Sequence, residues 1–498
     1  MVFFTRHIAA LLGVVLVYSF FSKSVLAQNE ADVFRYSKRN QLGSVRTMGL
    51  SGAYGALGAD LASSGINPAG IGMYRRSDAG GTFGIYTNRV ESSLDNNLNT
   101  TNANGTFANV GVTLTIPSIN PNAPFFSFTF YHQTSAVYDE RYNIEDLEMS
   151  NSILESLLAN VQNEVHYSLL DDFDNNYFYE SLAWYNFLLD TIPGENNEYF
   201  LPFVTDSLNP VQVSYIRQGE GNMSDNNFSV AYTAEGVFSM GATITSSTIT
   251  YQQNNIHTEY PQDFESETEY FEYIESYTTT GDGLNLKIGV IGHVKNLKLG
   301  FAWHSPTRYN LTDNSSYKMI NSSYIHGFVE EPAPDSYFEY IIKTPSRIIA
   351  STALILGKSV IISNDYERVN YASGRLENEE FYGADFSGQN QAVENTFTAS
   401  HQFRQGIEVR INKKFRARLG GTFATTPYSE NAKVVSDEYS LGYSFGGEFR
   451  NDKLYAGFAF TRTRSENDQY LISPQIQGEP ITQARASSLL VLGGGLRF

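Results

Sequence analysis

Tyr439-Ser440-Leu441-Gly442-Tyr443-Ser444-Phe445-Gly446-Gly447-Glu448-Phe449-Arg450 puts its large apolar residues on odd numbers and Ser, Gly, Glu and Arg on even ones. A β-strand sends successive side chains to opposite faces, so this segment has one greasy face and one polar face. The same alternation sets Phe415, Ala417, Leu419 and Phe423 against Arg416, Arg418, Gly420 and Thr422, and Leu297, Leu299, Phe301 and Trp303 against Lys298, Gly300 and His304. Phe126, Phe128 and Phe130 alternate likewise with Ser127 and Thr129. Outward from these, the period of two predicts strands near 78–92, 106–116, 124–137, 226–236, 237–252, 282–293, 296–311, 339–356, 359–372, 396–411, 414–427, 439–450, 453–464 and 485–498. That makes about 14 strands.

The connections between them alternate in length. Short gaps at 117–123, 236, 294–295, 357–358, 412–413 and 451–452 are interleaved with long polar ones at 93–105, 138–225, 253–281, 312–338, 373–395, 428–438 and 465–484. An even-stranded transmembrane barrel with short periplasmic turns and long outer loops produces this sorting. Closure is also a physical requirement, because an open sheet edge in hydrocarbon leaves backbone amides without partners. The expected fold is therefore all-β, a 14-stranded antiparallel transmembrane barrel.

Composition agrees. The chain holds 33 Tyr, 34 Phe and 40 Gly but only 15 Pro, and each strand averages to middling hydropathy because lipid-facing and lumen-facing residues alternate. A formal net charge of -19 argues against a nucleic-acid partner held by phosphate neutralisation. The absence of Cys excludes disulfides and thiolate chemistry. At the start, Arg6 and His7 precede an apolar run from Ile8 to Phe21, and Val25-Leu26-Ala27 precedes Gln28. This is the layout of a secretory signal peptide, expected over 1–27.

Between leader and first strand, Gly49, Gly52, Gly55 and Gly58 recur every third residue, and Asn67-Pro68-Ala69 follows. No phosphate-binding glycine pattern is met, so close packing inside the lumen is the expectation for a 28–77 hatch, with the barrel over 78–498. A small-residue plug, Asn-Pro-Ala, then 14 strands ending in the aromatic Phe498 resembles the long-chain fatty acid transporter family of outer membranes, the FadL/TodX type. Trp303-His304-Ser305-Pro306-Thr307, Lys343-Thr344-Pro345-Ser346-Arg347 and Asn364-Asp365-Tyr366-Glu367 look like a branch often labelled hemin receptor. The resemblance implies a monomer delivered by the outer-membrane assembly machinery, with a hatch-filled lumen. In such a barrel hydrophobic small molecules, fatty acids first among them, enter from outside and leave sideways through the wall. It implies ligand contact at Asn67, Pro68 and Ala69, and a gate in the third strand near Phe125 to Val137.

Physics favours such a route for a greasy cargo, since each CH2 exposed to water costs about 0.8 kcal/mol. Within the 138–225 loop, Ile144, Leu147, Leu154, Leu157, Leu158 and Val161 suit an amphipathic helix over 144–162. That helix and Trp184, Phe187, Leu188 and Leu189 are the candidates for first contact with cargo, against a self-packed loop core.

Catalysis is not expected. Gly442-Tyr443-Ser444-Phe445-Gly446 matches the serine-hydrolase pattern, but Ser444 sits in mid-strand instead of on a strand-to-helix turn. His132, Ser135 and Asp139 read as rim residues, and the eight His lack metal-site spacing, so no metal or cofactor is assigned. Glu330-Glu331 and Glu379-Glu380 read as solvated loop residues. Two other functions stay open: a scaffold or shuttle for surface secretion on the same barrel, and haem binding at the cell surface through His257 or His326.

Overall fold

The computed structural model describes residues 30–498 except 41, 93–98, 117–124, 174–176, 204–208, 235–236, 264, 379–384, 431, 433–438 and 470–480. The expected leader and Glu379-Glu380 lie outside the described residues. The strands are β1 (Asp78–Ser92), β2 (Asn99–Ile116), β3 (Phe125–Val137), β4 (Glu140–Met149), the short β5 (Asp190–Thr191) and β6 (Tyr199–Phe200), β7 (Val211–Ala234), β8 (Phe238–Pro261), β9 (Thr268–Val294), β10 (Leu297–His304) and β11 (Arg308–Ser323). There follow β12 (Gly327–Pro332), β13 (Ser336–Lys343), β14 (Arg347–Leu356), β15 (Val360–Asn370), β16 (Arg375–Glu377), β17 (Ala399–Arg410), β18 (Phe415–Thr425), β19 (Tyr439–Arg450), β20 (Leu454–Gln469) and β21 (Ile481–Arg497).

Neighbours pair antiparallel, and β1 closes the sheet on β21 from Asp78↔Arg497 to Ser92↔Gln483. Several wall positions are filled by two segments in line: β3 with β4 along β7, β10 with β11 along β9, and β14 with β13 beside them. Counted so, the wall is a closed 14-stranded antiparallel barrel. The outward positions form an apolar belt. On β18 it runs Phe415, Ala417, Leu419, Gly421, Phe423, roughly 27 Å along the strand, enough to cross a tilted path through hydrocarbon.

The expected 296–311 and 339–356 strands are each interrupted, at Ser305-Pro306-Thr307 and Thr344-Pro345-Ser346. Proline has no N–H for the ladder. The two breaks lie side by side and bond each other: Thr344 N donates to Thr307 O and Thr307 N to Thr344 Oγ1, both at 2.9 Å. Strands β7, β8 and β9 reach 24, 24 and 27 residues, well beyond the expected segments. Above the belt their outward residues are mostly Ser, Thr, Asn and Gln, while the inward ones mix Tyr, Met and Ile with polar residues, so the outward apolar signal of the period of two is lost.

The helices are α1 (Glu30–Ser37), α2 (Val45–Met48), α3 (Ser63–Ile66), α4 (Ile153–Val161), α5 (Phe178–Tyr185) and α6 (Ser387–Thr396). The first three and a 3-10 turn at Pro68–Met73 build the hatch inside the lumen. Leu50, Tyr54, Ala56, Leu57 and Ile66 pack on wall residues Ala302, Ile349 and Ala353, while Leu42, Val45 and Met48 meet Ala459, Leu489 and Val491.

The helix expected over 144–162 is only half helix, because Ile144 and Leu147 belong to β4. Their three-residue spacing comes from a bulge: the register on β7 shifts between Ile144 and Leu147, and Asp146 has φ 57°. The helix itself starts after Ser152, whose hydroxyl accepts from Leu154 N at 3.1 Å. Glu259 Oε1 accepts from Ile153 N at 3.0 Å, fixing this helix to β8.

Candidate functional site

Small hatch residues let the hatch backbone reach the wall, and wall glycines receive it. A Cβ added to Gly289 would lie 1.9 Å from Asn67 Oδ1, and one on Gly241 would lie 2.5 Å from Pro68 backbone. Hydrogen bonds then fix the hatch on several sides. Tyr54 N and Gly55 N both donate to Asp365 Oδ2 at 2.9 Å, Ser363 Oγ donates to Ala53 O at 2.8 Å, and Asn109 Nδ2 to Gly43 O at 2.7 Å. His304 Nε2 donates to Ile66 O at 2.9 Å, and Arg347 donates to Ser37 O.

Ion pairs add to this. Arg39 of the hatch pairs with Asp225, and Arg46 pairs with Glu408 at 2.9 Å. Arg418 bridges Glu408 and Glu448 at 2.7 and 2.8 Å. Removing one partner of such a buried network leaves an uncompensated charge, so the network opposes rigid displacement of the hatch.

At the short-turn end, beside the hatch, lies a small recess whose lining includes Arg46, Asp60, Asp78, Glu448, Arg450 and Arg497. Burial pushes the Asp60 carboxyl above its usual range, opposed by Arg46 and by donors from Ser44 Oγ and Ala62 N. This charged recess is a poor passage for an alkyl chain or an aromatic hydrocarbon. Higher in the lumen the surroundings change to aromatic: Tyr36, Tyr251, Tyr309 and Tyr340 cluster with Val33, Met223, Ile249 and Ile342.

The wall itself has a break in its ladder. β2 pairs with β1 as far as Asn99, but with β3 only from Ile116 to Asn109. Past that point β3 shifts register on β7 between Thr134 and Ala136, and β4 continues along β7 without ladder pairing to β2 among the described residues. Among the described residues, side chains bridge the gap instead. Thr134 Oγ1 donates to Phe107 O at 2.8 Å, Asn104 Nδ2 to Asp139 Oδ2 at 2.5 Å and Asn88 Nδ2 to Asp139 O at 3.3 Å. The hatch takes part: Asn40 N donates to Ser135 O at 2.8 Å.

No family model matches the sequence, and no curated protein matches it. Among solved structures, a Pseudomonas aeruginosa FadL homologue superposes with a TM-score of 0.54 at 10% identity, over 92% of this chain and 99% of that one. The toluene transporter TodX of P. putida superposes with a TM-score of 0.52 at 12% identity, over the same 92% and 99%. The chain has the FadL/TodX fold.

Within this FadL/TodX barrel the residues singled out from the sequence fall in three settings. Asn67, Pro68 and Ala69 are buried at the hatch–wall contact. Asn67 Nδ2 donates to Gly55 O at 2.7 Å, its Oδ1 accepts from Ala69 N at 3.1 Å, and the Pro opens the 3-10 turn. Leu188 and Leu189 are buried in a loop core with Leu154, Val161, Leu182, Phe271 and Met319. Trp184 is half-buried at the edge of that core, its Nε1 donating to Asp171 Oδ1 at 3.0 Å.

Phe187 is 45% exposed, held at φ 56°, and stacked on His326 with ring centroids 4.3 Å apart. The structure therefore does not bring the seven residues together. His257 is buried and shares a 2.8 Å contact with Glu259, so it offers no surface ligand. Ser444 is buried against the hatch, its Oγ 2.8 Å from Ser51 Oγ. Sequence reasoning missed the anchors Asp365, His304 and Arg347. The signal was there, since all three sit in the segments that carried the family resemblance.

Proposed function

We propose that the protein is a passive uptake channel for hydrophobic small molecules in a bacterial outer membrane, with release sideways between β2 and β3. The observation that carries this reading is the broken ladder at Thr134 to Asp139, where side chains and the hatch replace backbone pairing. An outward apolar belt on a closed barrel supports the membrane location. The hatch anchors and the charged recess make a straight path to the short-turn end unfavourable for a greasy cargo, whereas the gap opens beside the belt.

Structures of the same fold include a toluene transporter and, at a TM-score of 0.53 and 10% identity, a monoaromatic hydrocarbon channel variant of TodX. Long-chain fatty acids are the cargo to test first, because an aromatic-lined lumen accepts alkyl chains and rings alike. First contact falls to Phe187 and the exposed edge of Trp184, since Leu188 and Leu189 are closed off.

The test uses cysteines at Asn104 and Asp139, whose side chains meet across the gap; the chain has no other Cys. Proteoliposomes take up a fluorescent fatty acid, with oleate, toluene and haem as competitors. Joining the two cysteines with a short cleavable crosslinker is expected to abolish uptake, and cleavage to restore it. Unchanged uptake in the crosslinked barrel would rule out sideways release, and displacement by haem alone would reassign the cargo.

A further inference from the structure

On the outer surface, the apolar belt of β20, β21 and β1 ends in arginine. Going toward the long loops, β20 presents Phe458, Phe460, Arg462 and Arg464 outward, and β1 presents Phe83, Ile85, Thr87 and Arg89. Between them β21 presents Leu492, Leu490, Ser488 and Ala486. The register puts these in rows: Arg464↔Ala486↔Arg89, and below it Arg462↔Ser488↔Thr87. Neighbouring strands are about 4.8 Å apart, so the upper pair of arginines stands roughly 10 Å apart over a small alanine. Arg462 lies one step nearer the belt, beside two hydroxyls.

The arginine side chains are open to the outside, 66% for Arg464 and 47% for Arg89. One step further out, Glu466 and Glu91 each take one contact, at 2.6 and 2.9 Å. A guanidinium has five N–H donors in a planar fork, so an arginine at this boundary can engage more than one acceptor at once. The patch is local. On β7, β8 and β9 the positions just beyond the belt are Asn226, Ser246 and Asp282, and the chain as a whole carries -19.

We propose that this patch binds a phosphorylated lipid of the outer leaflet, with phosphates on Arg89, Arg462 and Arg464 and acyl chains along Ile85, Phe460 and Leu490. Position selects the occupant: the cations stand at the boundary where the apolar wall stops, which is where a lipid carries its phosphates. A soluble anion would gain nothing from the apolar residues directly beneath. This inference rests on the belt being the lipid-facing surface.

The experiment titrates the detergent-purified barrel with lipid A carrying two phosphates and with its dephosphorylated form, and counts bound lipid by native mass spectrometry. The exposed triple variant R89Q/R462Q/R464Q is compared with R308Q/R368Q elsewhere on the rim. The triple variant is expected to lose about a hundredfold in affinity for the phosphorylated lipid, at roughly a factor of five per cation, while R308Q/R368Q is unchanged. Wild-type binding that ignores phosphorylation, or a triple variant that binds as wild type does, overturns the site. Displacement by excess inorganic phosphate overturns the lipid as its occupant. Failure of the wild type to insert into phosphatidylcholine vesicles would instead sink the lipid-facing belt, and the site with it.

Discussion

At the scale of single residues, the contact between Gly289 and Asn67 is the most exposed to test. Gly289→Ala places a methyl group where the Asn67 carboxamide sits, so the hatch must shift, at a cost of about 1–3 kcal/mol. Gly292 on the same strand faces open space, and Gly292→Ala is expected to leave stability unchanged. Urea unfolding followed by hatch proteolysis separates the two.

Asp60 gives a pH dependence. Its carboxyl is raised by burial, so its contribution to stability is present below the ordinary carboxylate range and is lost as pH rises through the raised value. Asp60→Asn is therefore expected to gain on wild type as pH rises above the ordinary carboxylate range, read as the difference in unfolding midpoints. In the outer loop, Leu188→Ala should cost the loop core about 2–5 kcal/mol. Phe187→Ala should lower cargo affinity with the loop intact, which fluorescent fatty acid binding and loop proteolysis resolve together.

At the scale of elements, one of the bonds across the gap between β2 and β3 comes from a hydroxyl, Thr134 Oγ1, that can be removed without changing volume. Thr134→Val deletes the bond to Phe107 O, and uptake is expected to rise several-fold while the barrel stays folded. An unchanged rate would mean that the latch does not limit passage. Elements also mark where the sequence was readable. Strands with an apolar belt, such as β18, β19 and β20, follow directly from alternation, because lipid on one side and hatch on the other impose opposite polarities. The upper halves of β7, β8 and β9 face water outward, so residues such as Ser224, Thr248 and Thr278 carry no such contrast. Asn67-Pro68-Ala69 stood out by composition, yet its burial against Gly241 and Gly289 depends on pairing residues more than 170 positions apart, which no local pattern encodes. The Ile144–Leu147 spacing imitated a helix because a bulge inserts one residue into a period of two.

For the whole molecule, the hatch and the wall form one folding problem. Asp365 and Glu408 are buried, and Arg39 and Arg46 of the hatch are half-buried against wall carboxylates, so a barrel without its hatch would keep carboxylates facing an empty lumen. A chain lacking 30–76 is expected to insert with lower yield and to lose its compact, heat-sensitive migration in detergent gels at a lower temperature than the full chain. Equal heat resistance would show that the hatch is cargo to the barrel and not part of its structure. The outer loop is different in kind, because its core of Leu154, Leu182, Leu188 and Phe271 is built on the extended parts of β9 and β11 and not on the belt.

The unequal height of the wall has a directional consequence. With 24 to 27 residues in β7, β8 and β9 and only 11 to 12 in β17, β18 and β19, the strands make a rim that is slanted like the mouth of a scoop. A molecule drifting over the cell from behind the scoop meets a tall screen of hydroxyls and amides, while one arriving from the front meets the lip. The protein thus has a windward and a lee side, and its orientation among its neighbours in the membrane sets which part of the surroundings it samples.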